Sequence, residues 1–399
     1  MNDIFGTDGI QIFRNRAALS PRYLPDRLIG REKQVTELAS LMRPVLHHGE
    51  PANVLISGIK GTGKTTVVKF LLKQLSTNIE TKDLSAVPIF INCRKISTTS
   101  KIILEILNKV SPETEVPRTG LSMGKYYRAL WKALNEKRTT IIVVLDEIES
   151  LKDKNVLYEL SYAGENMSIE EDIFIGIIGI SDDIFFYAKA ENTVLSALQY
   201  RNIIFPPYSE EDVEQILNDR CKIAFVEDAV DKGIVSLCTK LSGVEHDCGK
   251  ALTLLERAGT IADISNEERV TEKHVLLANE EMGEKDLLTS LENLPINSKL
   301  VLLSIIRLTE ELNDKVTTGQ IEMLYRKYCE QMGTNPLGRT SVSGIVSEFD
   351  MMGIISAPVR SRGRHGKTRL VSIRKKPKKI EDILYMDYRL KELCDASII

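Results

Sequence analysis

No apolar stretch in this chain approaches the roughly 20 residues needed to span a bilayer, so no membrane partner is expected. The opening stretch, "MNDIFGTDGIQIFRNR", lacks a basic region followed by an apolar core, and no secretory signal is expected. An intracellular location follows as the expectation. Cysteines are few and scattered, six in all, at 93, 221, 238, 248, 329 and 394, with no C-x-x-C pair. Neither a disulfide framework nor a zinc site suits that spacing, and reduced, buried thiols are expected. The five histidines are equally dispersed. "EHDC" at 245–248 reads as a capping or surface turn rather than a ligand cluster. Internal repeats and long low-complexity segments are absent too. What remains is an ordinary soluble globular composition, 43% hydrophobic and 27% charged, over 399 residues. That length exceeds one compact core, so two or three domains are expected.

Net charge is only −3, but its distribution is uneven. From Val359 to Lys379 there are ten Lys/Arg and no Asp/Glu, which leaves −13 on the rest of the chain. One end is strongly basic and the body is acidic.

Residues 53–57 (NVLIS) read as a short buried strand. A helix follows from Lys64 to about Leu75, with Val67, Val68, Leu71, Leu72 and Leu75 at helical spacing. Residues 87–92 are a second strand, 101–109 a helix, and 111–122 a turn-rich interruption. After a helix near 123–136, "TTIIVVLDE" (139–147) and "DIFIGIIGIS" (172–181) carry uninterrupted apolar runs that suit strands buried on both faces. This alternation indicates an α/β domain with a largely parallel sheet. The Pro-Pro of "IIFPPYSEED" (203–212) ends that pattern, and Ser209 with Asp212 forms the signature of a capping box. Helices are expected at 210–225, 227–240 and 247–263 and over "TEKHVLLANEEM". Further helices are expected at 284–292, 297–311 and 317–332. In "GRTSVSGIVSEFDMMGIIS", Val342, Ile345, Val346 and Phe349 share one helical face, and Arg339, Thr340, Ser343 and Ser347 the other. Two short strands, "GIISAPV" and "TRLVSI", flank the basic "RSRGRHGK", which makes a winged-helix shape the expectation. The domain limits read as 1–205, 206–284 and 285–399.

Gly58 to Thr65 matches G-x-x-x-x-G-K-[ST] without a gap, between a predicted strand and a predicted helix. Gly58, Gly61 and Gly63, with Thr62 and Thr66, would let backbone N–H groups curl around phosphate oxygens at a helix N-terminus. Lys64 would reach the β and γ phosphates, and Thr65 would ligand Mg²⁺. Asp146 and Glu147 end the apolar strand: Asp146 suits the magnesium shell and Glu147 suits polarisation of an attacking water. ATP or ADP with Mg²⁺ is the expected cofactor. The basic hairpin suits DNA backbone contacts while the helix beside it enters a groove. Arg339, Thr340 and Ser343 are the candidates on the helix, and Arg360, Arg362, Arg364 and Lys367 those on the wing.

Taken together, the segments at 12–34, 57–66, 91–96 ("INCRKI"), 144–149 ("VLDEIE"), 179–183 ("GISDD") and 203–212 resemble the AAA+ initiator ATPases of the archaeal origin-recognition/Cdc-six group. The resemblance covers nearly the whole chain. It implies an AAA+ domain, a helical lid and a winged helix, with origin DNA and the replicative helicase as partners. A related initiator on adjacent DNA would be a further one. The implied location is cytoplasmic and chromosome-associated. By the same resemblance, the 23–31 segment, with Tyr23, Leu24 and Arg31, lies over the adenine, and Tyr208 contacts the nucleotide. Arg118, Thr119 and Gly120 fall in an insertion that touches DNA in relatives.

Three departures stand in the reaction centre. Asp182 takes the place of a family asparagine that senses the γ-phosphate and orients water. Thr193 stands where an arginine finger is usual, with Arg201 close by. Gly249, beside Lys250, stands where the lid arginine is expected. Since charge neutralisation is most of what phosphoryl-transfer sites provide, Mg-ATP binding with very slow hydrolysis is expected. A helicase-loader motor and a winged-helix transcription regulator remain open as alternatives.

Overall fold

The computed structural model describes residues 12–163, 168–184, 186, 199–361, 367–374 and 377–393. The chain divides into two compact units, Met1–Asn279 and Glu280–Ile399.

The first unit is built on a five-stranded, wholly parallel sheet. Its strands are β1 (Val54–Ser57), β2 (Ala86–Asn92), β3 (Thr140–Asp146), β4 (Ile175–Ser181) and β5 (Arg201–Ile204). Their order across the sheet is β2-β3-β4-β1-β5. The apolar runs are uninterrupted because both faces are covered. Leu55, Ile89, Val143, Leu145 and Ile177 pack on one side against helices α3 (Thr99–Val110), α4 (Met123–Lys137) and α5 (Asn155–Ser161). Ile56, Ile142, Val144, Ile178 and Ile180 pack on the other against α1 (Glu32–Met42) and α2 (Lys64–Thr81). The alternation along β3 assigns successive residues to opposite cores.

After β5 the chain turns helical. Helix α6 (Glu210–Ala224) opens with the expected capping box, in which Asp212 N–H donates to Ser209 Oγ at 3.1 Å and Ser209 N–H to Asp212 Oδ2 at 3.2 Å. Helices α7 (Ile234–Leu241), α8 (Cys248–Ile264) and α9 (Glu272–Glu292) follow. The expected helix at 227–240 begins only at Ile234, because Asp228 (φ 61°) and Gly233 (φ 89°) both adopt left-handed backbone that no helix continues through. The expected separate helix at 284–292 is the second half of α9. Gly283 stays out of the left-handed region there and weakens the helix without ending it. Residues 12–15 run back onto this helical layer. Arg14 N–H and Val226 N–H bond to Ala224 O and Ile12 O at 2.8 and 2.9 Å, and Phe13 stacks on Phe225 at 4.9 Å between centroids. Gly259 of α8 makes room for that stack, since a Cβ there would lie 2.5 Å from Phe13.

The second unit is a winged helix. Helices α10 (Ile296–Leu312), α11 (Thr318–Gln331) and α12 (Arg339–Met351) close on a small antiparallel sheet, joined by α13 (Pro377–Leu384). The long strand β9 (Lys367–Ile373) pairs with β6 (Val316–Thr317), β7 (Ile355–Ser356) and β8 (Val359–Ser361). The single strand expected at "GIISAPV" is thus two, interrupted at Ala357 and Pro358, where proline offers no N–H to the ladder. Helix α12 buries Val342, Val346 and Phe349 as its period predicts, while Ile345 is half-buried. Lys299 and Asp387 form a buried ion pair at 2.9 Å, which Arg389 joins at 2.7 Å.

Phe349 is fully buried where α12 meets this core. Phe349→Ala is expected to lower the stability of this unit by about 3–5 kcal/mol. Thr340→Ala, on the exposed face of the same helix, should stay within about 0.5 kcal/mol. Denaturant titration followed by far-UV circular dichroism compares the two.

Candidate nucleotide site and candidate DNA-binding face

Strands β1, β4 and β3 end level with one another, with Ser57 opposite Ser181 and Asp146 opposite Ile180. Their C-terminal edge therefore gathers the loop 58–65, Asp146, Glu147 and Asp182. The loop turns through Gly61 (φ 81°) and Gly63 (φ 83°), which a side chain would strain. Neighbouring groups approach it closely. A Cβ on Gly58 would strike the Phe205 carbonyl, one on Gly61 the Asp247 carboxylate, and one on Gly63 the Tyr208 hydroxyl.

Lys64 opens α2 and is buried, and its ammonium donates to the carbonyls of Gly58 and Ile59, both at 2.7 Å. Thr65 Oγ1 donates to Asp146 Oδ1 at 3.0 Å across the width of β4. Burial pushes the Asp146 carboxyl above its ordinary range, against the hydrogen bonds from Thr65 and Asn92. Glu147 holds left-handed backbone (φ 55°, ψ 50°), a strained state for a side-chain-bearing residue, at the point where the strand must turn its second acid. Asn92, in register with Asp146 at the end of β2, donates to Glu147 Oε1 at 3.0 Å and to Asp146 Oδ2 at 3.4 Å. Asp182 Oδ1 lies 2.7 Å from Lys64 Nζ. A glycine-turned loop, a buried ammonium and a hydroxyl–carboxylate pair of hard oxygens are the donor set that a magnesium–polyphosphate requires. The residues present fit that group.

Arg31 lies behind the loop and is buried. Its guanidinium donates to the carbonyls of Thr62 (2.9 Å), Gly30 (2.8 Å) and Pro206 (2.7 Å) and stacks on Tyr208 at 3.7 Å. Burial lowers its pKa and pushes the Tyr208 hydroxyl up to about 12. The donors of Arg31 thus face protein carbonyls, making it a clamp joining the 23–31 segment, the loop and the start of the helical layer. Tyr23 is half-buried under Arg220 of α6, whose guanidinium lies 4.4 Å from its ring. Leu24 is half-buried beside it, and Thr66 is half-buried in the first turn of α2.

Arg220, Asn92 and Asp247 were not anticipated as site residues. Arg220 shares the buried stripe of Val213, Leu217 and Ala224, and an arginine on an apolar stripe is the available signal. Asn92 carries no such mark, because its role arises from register with β3. Asp247 N-caps α8, accepting from Lys250 N–H at 2.9 Å, and so brings a carboxylate to Gly61. Gly249 and the half-buried Lys250 follow it. Arg201 pairs with Val54 at the far end of the sheet from the loop, so it does not serve this chain's own site. Thr193 lies outside the described residues.

Arg118, Thr119 and Gly120 are exposed in the connection between α3 and α4, with Gly120 at φ 89°. On the second unit, Arg339 and Thr340 are exposed at the start of α12 and Ser343 is half-buried. Arg339 Nε donates to Glu322 Oε2 at 2.8 Å while its side chain stays 82% exposed. Glu322 also pairs with Arg326 at 3.0 Å, and the hydrogen bond from Arg339 is the main cause holding its carboxyl below the ordinary range. Arg360 and Lys367 are placed by backbone, opposite Thr368 and Ser361. Arg362 and Arg364 lie outside the described residues.

A parallel β2-β3-β4-β1-β5 sheet with this loop, a helical lid and a winged helix define an AAA+ ATPase-type protein with a winged-helix domain. Family models agree: an AAA ATPase domain matches residues 27–165, a Cdc6 AAA+ ATPase-type lid domain 214–280, and a CDC6 C-terminal winged helix domain 289–383. The "ORC1-type DNA replication protein 1" of Archaeoglobus fulgidus is 34% identical over 385 residues, covering 96% of this chain and 93% of that protein. Its namesake from Sulfurisphaera tokodaii is 36% identical over 367 residues, covering 91% and 90%. The structure of Aeropyrum pernix ORC1 in complex with DNA is similar at TM-score 0.77 and 35% identity, covering 96% and 99% of the two chains. This chain belongs to the ORC1/Cdc6 family of archaeal DNA replication proteins.

Replacing Arg31 with methionine would leave three carbonyls without their donor, at about 1–3 kcal/mol for each that stays buried. The expected outcome is a fall in stability of several kcal/mol, measured by thermal unfolding of the full chain, together with weakened nucleotide binding.

Proposed function

We propose that this chain is a nucleotide-gated replication initiator that grips double-stranded origin DNA, helps recruit the replicative helicase and hydrolyses ATP very slowly. The observation that carries this reading is the joining, in one chain, of a complete polyphosphate-binding loop with a winged helix of the family described above. In the proposed arrangement Lys64 holds the β and γ phosphates, Thr65 and Asp146 hold Mg²⁺, and Tyr23, Leu24 and Tyr208 enclose the nucleotide. Bound Mg²⁺ would supply neutralisation of phosphate charge. Glu147, held by Asn92, is the proposed base for water. The domain limits proposed are 1–205, 206–284 and 285–399. Among the described residues no helix is long and apolar enough to cross a membrane, and association with the chromosome in the cytoplasm accords with the proposed role.

Slow turnover rests on charge. A motor would need donors or cations where Asp182 and Gly249 stand, and carboxylates at Asp182 and Asp247 approach the loop instead. Arg339, Thr340 and Ser343, the wing residues Arg360, Arg362, Arg364 and Lys367, and the exposed Arg118–Gly120 loop are the proposed DNA contacts. A related initiator on adjacent DNA is a proposed partner.

Purified protein is expected to retain ADP or ATP, with single-turnover hydrolysis barely above background. Brisk turnover by the isolated monomer, measured by rapid quench, would overturn the slow-hydrolysis reading. Genomic duplex fragments retained at moderate salt with ATP should be enriched for a few loci near replication start sites. Arg339→Ala should weaken retention and reduce the salt slope by about one. Retention without enrichment would count against origin recognition.

A further inference from the structure

Asp182 follows Ser181 at the end of β4, the strand that separates β3 from β1. That position sets it between the acidic pair of β3 and the loop of β1. Its carboxylate meets the Lys64 ammonium at 2.7 Å, with the lysine side chain 4% exposed and the aspartate 46%. The same ammonium donates to Gly58 O and Ile59 O. An ammonium has three donors, and here the short contacts go to two loop carbonyls and the Asp182 carboxylate, with Thr62 Oγ1 farther off at 3.5 Å. In a loop of this type the lysine is the group that reaches the β and γ phosphates. Asp182 therefore holds the contact that a terminal phosphate would take.

Among the described residues further carboxylates gather near it, with Arg94 pairing to one of them, Glu147, at 3.8 Å. The backbone N–H of Asp182 points to Glu149 Oε1 at 3.4 Å, so a second carboxylate stands beside it. Asp146 ends β3 in register with Ile180 of β4, Glu147 follows it, and Asp247 stands against the loop at Gly61 from the lid. A carboxylate at the end of a paired strand is held on a short tether. Once displaced from Lys64 it stays within reach of whatever displaced it. A γ-phosphate arriving at Lys64 would meet that like charge, whereas a nucleotide ending at the β-phosphate meets less of it.

We propose that Asp182 is a specificity-determining residue that biases this site toward nucleoside diphosphate over nucleoside triphosphate. This rests on the nucleotide-site reading above and goes beyond it. Asp182 then acts on which nucleotide is held as well as on how slowly it is cleaved. Entry of a triphosphate requires opening the Lys64–Asp182 pair.

The test is calorimetric titration of the nucleotide-stripped, full-length chain with ADP and with a non-hydrolysable ATP analogue, both at saturating Mg²⁺. Wild-type protein is expected to bind ADP more tightly than the analogue. Asp182→Asn, which keeps the shape and removes the charge, should shift the affinity ratio toward the analogue by about tenfold or more, the scale of a like charge at close range. Asp182→Ser should shift it the same way, and covers a failure of the asparagine variant to fold. Wild-type protein that binds the analogue as tightly as ADP, or more tightly, overturns the proposal whatever the variants do. So does an unchanged ratio in both variants, or a loss of analogue binding, which would make the carboxylate a metal-side ligand. Binding of neither nucleotide by wild-type protein would remove the site reading itself and this inference with it.

Discussion

The parallel register of β3, β4 and β1 is the constraint on which the site depends. Ser57, Ser181 and Asp146 end their strands at one edge because Ile56, Ile180 and Val144 must share one core and Leu55, Ile177 and Leu145 the other. A one-residue slip of β3 would move Asp146 about 3.3 Å and turn it to the opposite face. The hydrogen bond from Thr65 would then be lost. Thus the hydrophobic effect, acting through β-branched runs buried on both sides, fixes the distance between a hydroxyl and a carboxylate that are far apart in the chain.

Buried arginines extend that order outward. Arg31 ties three stretches of backbone through carbonyls that would otherwise lack donors, and Arg220 stacks on Tyr23 while reaching the Ala18 carbonyl at 3.4 Å. Burial lowers the pKa of both, an unfavourable desolvation offset by several directed contacts each. Their effect is positional: the lid, the N-terminal segment and the loop meet in one arrangement, with Asp247 and Tyr208 against the loop glycines. At the loop itself, the Asp182 carboxylate lies 2.7 Å from the Lys64 ammonium and the Asp247 carboxylate stands against Gly61.

In the second unit a similar economy applies. Glu322 of α11 pairs with Arg326 on its own helix and with Arg339 at the start of the polar face of α12. An exposed guanidinium held by one carboxylate loses less freedom on meeting a phosphate than an unrestrained one would. The apolar face of the helix is wholly ordinary core, which is why its period was so plain in the sequence.

Much of this was readable locally. The strands 54–57, 86–92, 140–146 and 175–181 follow from runs of Ile, Val and Leu, and the start of α6 from Ser209 and Asp212. The loop 58–65 and its lysine follow from glycine spacing, since backbone freedom is a property of the residue itself. The limits of α7 and α9 were less plain, because the letters do not show that Asp228 takes left-handed backbone or that Gly283 stays helical. Asn92 against Glu147 and Arg31 against Pro206 were not readable at all, and Asp182 came near Lys64 only through the family resemblance, not through any local pattern. Each joins residues tens to well over a hundred positions apart. Patterning dictates which face of an element is buried, but the partner of a polar group depends on register and on which strands become neighbours. Those are settled when the cores close, and the charge at the heart of this site was settled with them.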